Sequence, residues 1–180
     1  MKNALYSQIR EQIKPGDVLA LHDEFVPTYY GLKIAAVQLL TGPYCHVGLL
    51  WPMGGRLWCL ESVIPKIRMS PLSNVASQGF FWLPLDRPMS AEEIEFALSH
   101  VSIGEYSQHE AIKAGAGLLT EEDAANGKWE CAKYTVLARA KSGVDLGPRW
   151  VPTDVVLAAA HRYNVEPVRV TMDLPATGVA

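Results

Sequence analysis

The chain has 180 residues, 49% of them hydrophobic and 19% charged, with a formal net charge of −3. This is the composition of one soluble globular domain, 1–180, rather than a disordered chain, and its mild acidity gives no electrostatic pull toward nucleic acid or an anionic membrane. No apolar run reaches the roughly 20 residues that span a bilayer, so no transmembrane segment is expected. The start, MKNALYSQIREQIKPGD, lacks the apolar core of an export signal. The expected location is therefore the cytoplasm as synthesised, with later release or association with a virion as further options.

In chain order, Leu5, Ile9 and Ile13 recur at a spacing of four and predict an amphipathic helix over 3–13, ended by Lys14-Pro15-Gly16. DVLALH (17–22) reads as a strand. A helix is predicted over about 28–40, closed by Thr41-Gly42-Pro43. CHVGLLW (45–51) and RLWCLES (56–62) predict a hairpin joined through Pro52-Met53-Gly54-Gly55. Residues 67–72 read as an edge strand and FFWLPL (80–85) as a further strand. Ser90-Ala91-Glu92-Glu93 carries a capping-box pattern that opens a helix running to about His100. The stretch 104–127 is mixed, its AIKAGAGLL weakened as a helix by two glycines. WECAKYTVLARAK (129–141) reads as a helix with Ala132, Val136 and Ala140 on one stripe, and Pro152 as the first turn of a helix running to His161. PVRVTM (167–172) is the last strand. Helices and antiparallel strands fall in segregated groups, an α+β layout.

Cys45, Cys59 and Cys131 are an odd set in a chain without an export signal, which disfavours a disulfide framework. Thiol-based acyl transfer needs a thiolate, an imidazole to take its proton and a polar group to orient the imidazole. Cys131 sits at the predicted start of a helix, where the dipole and free N–H groups favour a thiolate and hold an oxyanion. Strand alternation puts His46, Gly48 and Leu50 on one face, with Cys45 and Val47 on the other. A register placing Glu61 beside His46 supplies the orienting carboxylate, and Gly48 leaves room for a helix end.

PGDVLALH, PYCHVGLLW, LWCLES and WECAKYTVLA, in this order, resemble the circularly permuted branch of the NlpC-type papain-like hydrolases, the YiiX-like group. The resemblance runs from about Pro15 through the helix start Val151-Pro152-Thr153-Asp154 and rests on short motifs. It implies a papain-like core with an antiparallel sheet packed against helices, Cys131 as nucleophile, His46 as base and Glu61 as third polar residue, with no cofactor. It matches Tyr44 to an aromatic often found two residues before the histidine. Ala132 and Lys133 depart from the Ser-Glu often found after the cysteine, and Cys45 replaces a serine.

The plainer readings are a core cysteine for Cys131, a satisfied core histidine for His46 and a solvated strand-end carboxylate for Glu61. A zinc site of Cys45 and Cys59 with His46 or His22 is the alternative, but no spacing matches a ligand pair, and small buried hydrophobes is the preferred reading. His22 is weighed as a surface residue against a cleft-lining base or substrate contact, and Tyr106 and Trp129 as cleft walls. His109 and His161 need no function. The leading expectation is a cysteine amidase or peptidase whose partner is a peptide or other amide, with peptidoglycan peptides implied by the resemblance. The alternatives are an acyltransferase or thioesterase of the lecithin:retinol type using the same Cys–His site, and a non-catalytic structural or binding component of a virion or cell envelope.

Overall fold

The computed structural model describes residues 2–22 and 42–173. The helix predicted over 28–40 lies outside the described residues. In chain order the elements are β1 (Lys2–Leu5), α1 (Tyr6–Ile9), β2 (Val18–His22), β3 (Tyr44–Met53), β4 (Arg56–Ser62), β5 (Ile67–Pro71), α2 (Leu72–Val75), β6 (Gly79–Leu83), α3 (Ala91–Ser99), β7 (Glu105–Tyr106), α4 (Gln108–Gly115), α5 (Glu121–Ala125), β8 (Lys128–Trp129), α6 (Cys131–Ala140), α7 (Pro152–Arg162) and β9 (Val168–Thr171). The result is a mixed α/β fold. Its main sheet has the order β1-β9-β6-β2-β3-β4-β5, antiparallel except for the β1–β9 pair, and β7–β8 form a small parallel ribbon.

The hairpin forms through local chemistry. Gly54 and Gly55 have φ of +60° and +71°, both left-handed, so a two-residue turn reverses the chain with a twist that suits the flanking strands. The strands run up to that turn, with Met53 opposite Arg56. β5 closes the sheet edge beside β4, as expected of residues 67–72. β2 lies in the middle, and Val18, Leu19 and Ala20 are fully buried on both faces. Helices α6 and α7 pack against β3, and α3 packs against α6.

Two expectations change. Residues 3–5, predicted as the start of a helix, instead join Lys2 in a strand that pairs with β9 from Lys2–Val168 to Leu5–Thr171, and the helix shrinks to α1. The edge of β9 offers a ladder that residues 2–5 can join, and this long-range pairing overrides the local period. Ile9 and Ile13 still turn into the core. The single apolar stripe on α6 also fails, since Lys133, Thr135 and Arg139 are as fully buried as Ala132 while Ala140 is exposed. A helix packed against the sheet, α3 and α7 has several covered faces rather than one.

The Gly16-Asp17 pair before β2 is a structural clamp. Buried Asp17 accepts from the Lys14 amide (3.0 Å), the Trp82 indole (2.8 Å) and the Leu85 amide (3.0 Å), tying the entry of β2 to the end of β6. Gly16 has φ +87°, and a Cβ there would stand 2.2 Å from Cγ of Met89. No described helix is long and apolar enough to cross a membrane.

Candidate active site

β3 carries His46 and β4 carries Glu61 up to the point where the two strands part. Their last recorded pair is Leu49–Leu60, and one step further along that register sets Gly48 opposite Glu61. His46 therefore reaches Glu61 on the diagonal, with Nε2 2.9 Å from Oε2. The space beside Gly48 is filled by the neighbouring strand rather than by a helix end as expected. A Cβ there would meet Cys59 Sγ at 2.6 Å and the Leu60 carbonyl at 3.0 Å. Cys59 is thus a buried packing residue, as expected of it.

A residue absent from the sequence reading completes this pair. Arg68 lies opposite Glu61 on β5 and donates from Nε to Oε1 at 3.0 Å. Burial by itself pushes the Glu61 carboxyl up, but the bonds and charges of His46 and Arg68 more than reverse this and bring it down to about 2. Glu61 is then an ionised acceptor at neutral pH. It holds the Nε2–H tautomer of His46 and leaves Nδ1 with a lone pair.

This coupling carries a stability consequence. The Glu61 pKa falls from 4.5 to about 2 on folding, so the unfolded chain binds the extra proton between those values. Stability from this group is present above about pH 4.5 and lost as pH falls toward 2, an effect on the order of 3 kcal/mol by linkage. Urea midpoints measured across that window are expected to drop in the wild type and to drop less in Glu61→Gln.

Cys131 is the first residue of α6 and is buried. Its sulfur lies against the amide of Val47, the residue after His46, with Cys45 and Glu130 as its other polar neighbours. Cys45 enters this neighbourhood through a β-bulge. Leu21 pairs with His46 and His22 with Tyr44, so the ladder skips Cys45 and the strict alternation expected of Cys45 and His46 is broken there. The Cys45 thiol lies 3.4 Å from the Leu21 carbonyl.

The helix start does not act on the thiol as expected. Glu130, the N-cap of α6, takes the amides of Ala132 (2.8 Å) and Lys133 on its two carboxylate oxygens. Burial foremost, and then the Glu130 charge, push the Cys131 thiol well above its ordinary range, against the pull of the Val47 amide. Burial likewise pushes Glu130 up to about 7. Glutamate ranks below Ser, Thr, Asp and Asn as an N-cap, so little in the sequence marks this residue.

Ala132 and Lys133, the departures after the cysteine, turn into the protein and are fully buried. The Lys133 ammonium donates to the Asn126 side chain (3.0 Å) and to the carbonyls of Asp123 and Lys128, with the Trp129 ring at 5.2 Å and the Trp150 ring at 5.7 Å. It therefore ties the loop before Cys131 to α6, and a ligand does not meet it.

The remaining candidates divide. Tyr106 is within electrostatic range of Cys131 and Glu130, and burial foremost, then those two groups, raises its phenol. It reaches them because β7 pairs with β8, Tyr106 opposite Trp129. The Trp129 ring packs against His100 (4.7 Å), Phe96 (6.0 Å) and Tyr134 (6.1 Å). His22 and Tyr44 sit one rung beyond His46 and cluster with Phe81, Tyr44 edge-to-face with both His22 and Phe81 and His22 tilted against Phe81, the ring pairs spaced 5.4–6.1 Å. Two surface depressions, of about 290 and 370 Å³, lie at the hairpin turn and beside Trp129, and neither is lined by Cys131, His46 or Glu61.

In class, the chain is a mixed α/β fold with one large sheet and several helices. No family model and no curated protein matches its sequence. Among solved structures it is similar to the metalloprotein YiiX from Escherichia coli O157:H7, with a TM-score of 0.53 and 15% identity over 89% of each chain. At that identity the likeness is one of fold. That neighbour's name implies a metal, but among the described residues no three His, Cys, Asp or Glu side chains are grouped to hold one. The described residues by themselves do not fit a metal site.

Proposed function

We propose that the chain is a cysteine hydrolase with a permuted papain-like core, Cys131 being its nucleophile, His46 its base and Glu61 the group that orients the base. The observation that carries this reading is the Glu61–His46 bond, which leaves Nδ1 of His46 as the proton acceptor on the strand against which the Cys131 sulfur rests. Likeness of fold to YiiX supports it at the level of architecture alone.

In the reaction, the sulfur lone pair attacks the substrate carbonyl carbon while the thiol proton passes to Nδ1 of His46. The carbonyl π pair moves onto oxygen. With the Ala132 and Lys133 amides held by Glu130, the helix-start donor left for that oxygen is the amide of Cys131 itself. The imidazolium then protonates the leaving nitrogen as the C–N bond breaks, giving a thioester. Water, giving a proton to His46, then adds to the thioester carbonyl; the C–S bond breaks, the imidazolium returns the proton to sulfur, and the acid is released. In this reading Tyr106, across the β7–β8 ribbon from Trp129, serves as a substrate-side wall. An amide is the favoured substrate because the imidazolium formed on attack is the acid that a leaving amine requires. The family resemblance points to peptidoglycan peptides.

The test is digestion of purified peptidoglycan fragments with the wild type and with Cys131→Ala, followed by mass spectrometry. New free amine and acid termini that depend on Cys131 are expected. Transfer of the acyl group to an added alcohol or amine in preference to water would instead favour the acyltransferase. No turnover of peptides, esters or thioesters would leave the structural or binding component.

A further inference from the structure

Glu130 is a buried carboxylate directly beside the sulfur, and no step of the reaction above uses it. Each of its oxygens accepts one amide from the first turn of α6, from Ala132 and from Lys133. A helix start normally offers such amides, with their partial positive charge, to a nearby anion. Here the chain supplies its own anion from the N-cap. Among the described residues, the other titratable groups in electrostatic range of the pair are Tyr106 from β7, Cys45 from β3 and Lys133 from α6. Lys133 turns its ammonium to the carbonyls of Asp123 and Lys128. His46, on the same strand as Cys45, is engaged by Glu61.

We propose that Glu130 is a positioning residue that keeps Cys131 a neutral thiol at rest, by occupying the two helix-start amides and setting its carboxylate against the sulfur. Thiol deprotonation is thereby confined to the attack step, when a carbonyl is in place and His46 takes the proton. The resting enzyme would then resist electrophiles and oxidants that react with thiolates. This role in catalysis rests on the cysteine hydrolase reading, whereas the effect of Glu130 on the thiol does not.

The experiment is the pH profile of Cys131 alkylation by iodoacetamide, read by peptide mass spectrometry. It compares the wild type with Glu130→Gln and with Glu130→Ser, which keeps a neutral N-cap, each also in a His46→Ala background. The wild-type profile is expected to rise only above the ordinary thiol value of about 8.5. Both variants are expected to move it down by about one pH unit, roughly tenfold faster alkylation at about pH 8.5, where the Glu130 carboxyl is ionised, in either background. An unmoved profile in a folded variant overturns the proposal, and so does a wild-type profile that rises below pH 8. A residue that only capped the helix would lower the unfolding midpoint without moving this profile. If the profile is unmoved while an activated ester still acylates Cys131 with help from His46, the role of Glu130 fails alone. If the profile moves but no ester acylates the wild type, the hydrolase reading fails alone.

Discussion

His46→Ala is expected to slow acylation of Cys131 by about 10²–10⁴-fold, the usual contribution of a positioned general base. The effect should lie toward the upper end because the thiol has no other route to a thiolate at neutral pH. Burial and Glu130 hold its proton on, and only the Val47 amide pulls the other way. Glu61→Gln should fall between His46→Ala and the wild type. A glutamine can still accept from Nε2 of His46, but it has a single oxygen to divide between His46 and Arg68 and carries no charge to stabilise the imidazolium. Acid-quenched single-turnover measurements with an activated ester check both variants. Circular dichroism and urea midpoints separate a chemical defect from an unfolded one.

Glu93→Ala is expected to be the most destabilising single change, at about 3–5 kcal/mol, the range for removing one partner of a buried ion pair. Glu93 and Arg139 are both fully buried, 2.9 Å apart, and Glu93 also takes two bonds from Arg87 at 2.9 and 3.1 Å and the Ser90 amide at 2.6 Å. Removing the carboxylate leaves the Arg139 guanidinium in the interior with only the Arg87 carbonyl as a strong acceptor. Arg139 stands on α6, so the same change loosens the helix that carries Cys131. Substituting both partners by apolar residues of similar size, Glu93→Leu with Arg139→Met, should cost far less than Glu93→Ala alone. The urea midpoints of the two proteins, measured at one pH, test this.

These two expectations draw on parts of the molecule that were unequally legible in the sequence. The hairpin, the α3 cap and the start of α7 could be read because their signals are local. Gly54-Gly55 dictates its turn, Ser90 accepts from the Glu93 amide while Glu93 reaches back to the Ser90 amide, and Pro152 sits in the first turn. The meeting of His46 with Glu61 was legible once the hairpin was assumed, since turn length limits the possible registers.

What escaped is set by distant pairing and by burial. The strand at residues 2–5 depends on β9, more than 160 residues away along the chain. The bulge that brings Cys45 toward Cys131 depends on how β2 meets β3. Arg68 gains meaning only when β5 pairs with β4 in the one register that sets it opposite Glu61. Lys133 stands out in the sequence only as a departure from the residues often found after the cysteine, and it is held inside by the carbonyls of the preceding loop. Glu130 draws no reading from the sequence, and its effect on Cys131 follows from enclosure beside the sulfur, which no sequence period encodes.

The most direct test is the mass of the intact protein after brief mixing with p-nitrophenyl acetate and acid quench, with the modified residue mapped by digestion. One acetyl group on Cys131 is expected, absent in Cys131→Ala and formed at least about a hundredfold more slowly in His46→Ala. An acetyl group placed on Cys45 or Cys59 instead, or one formed on Cys131 at the same rate without His46, would contradict the assignment of nucleophile and base.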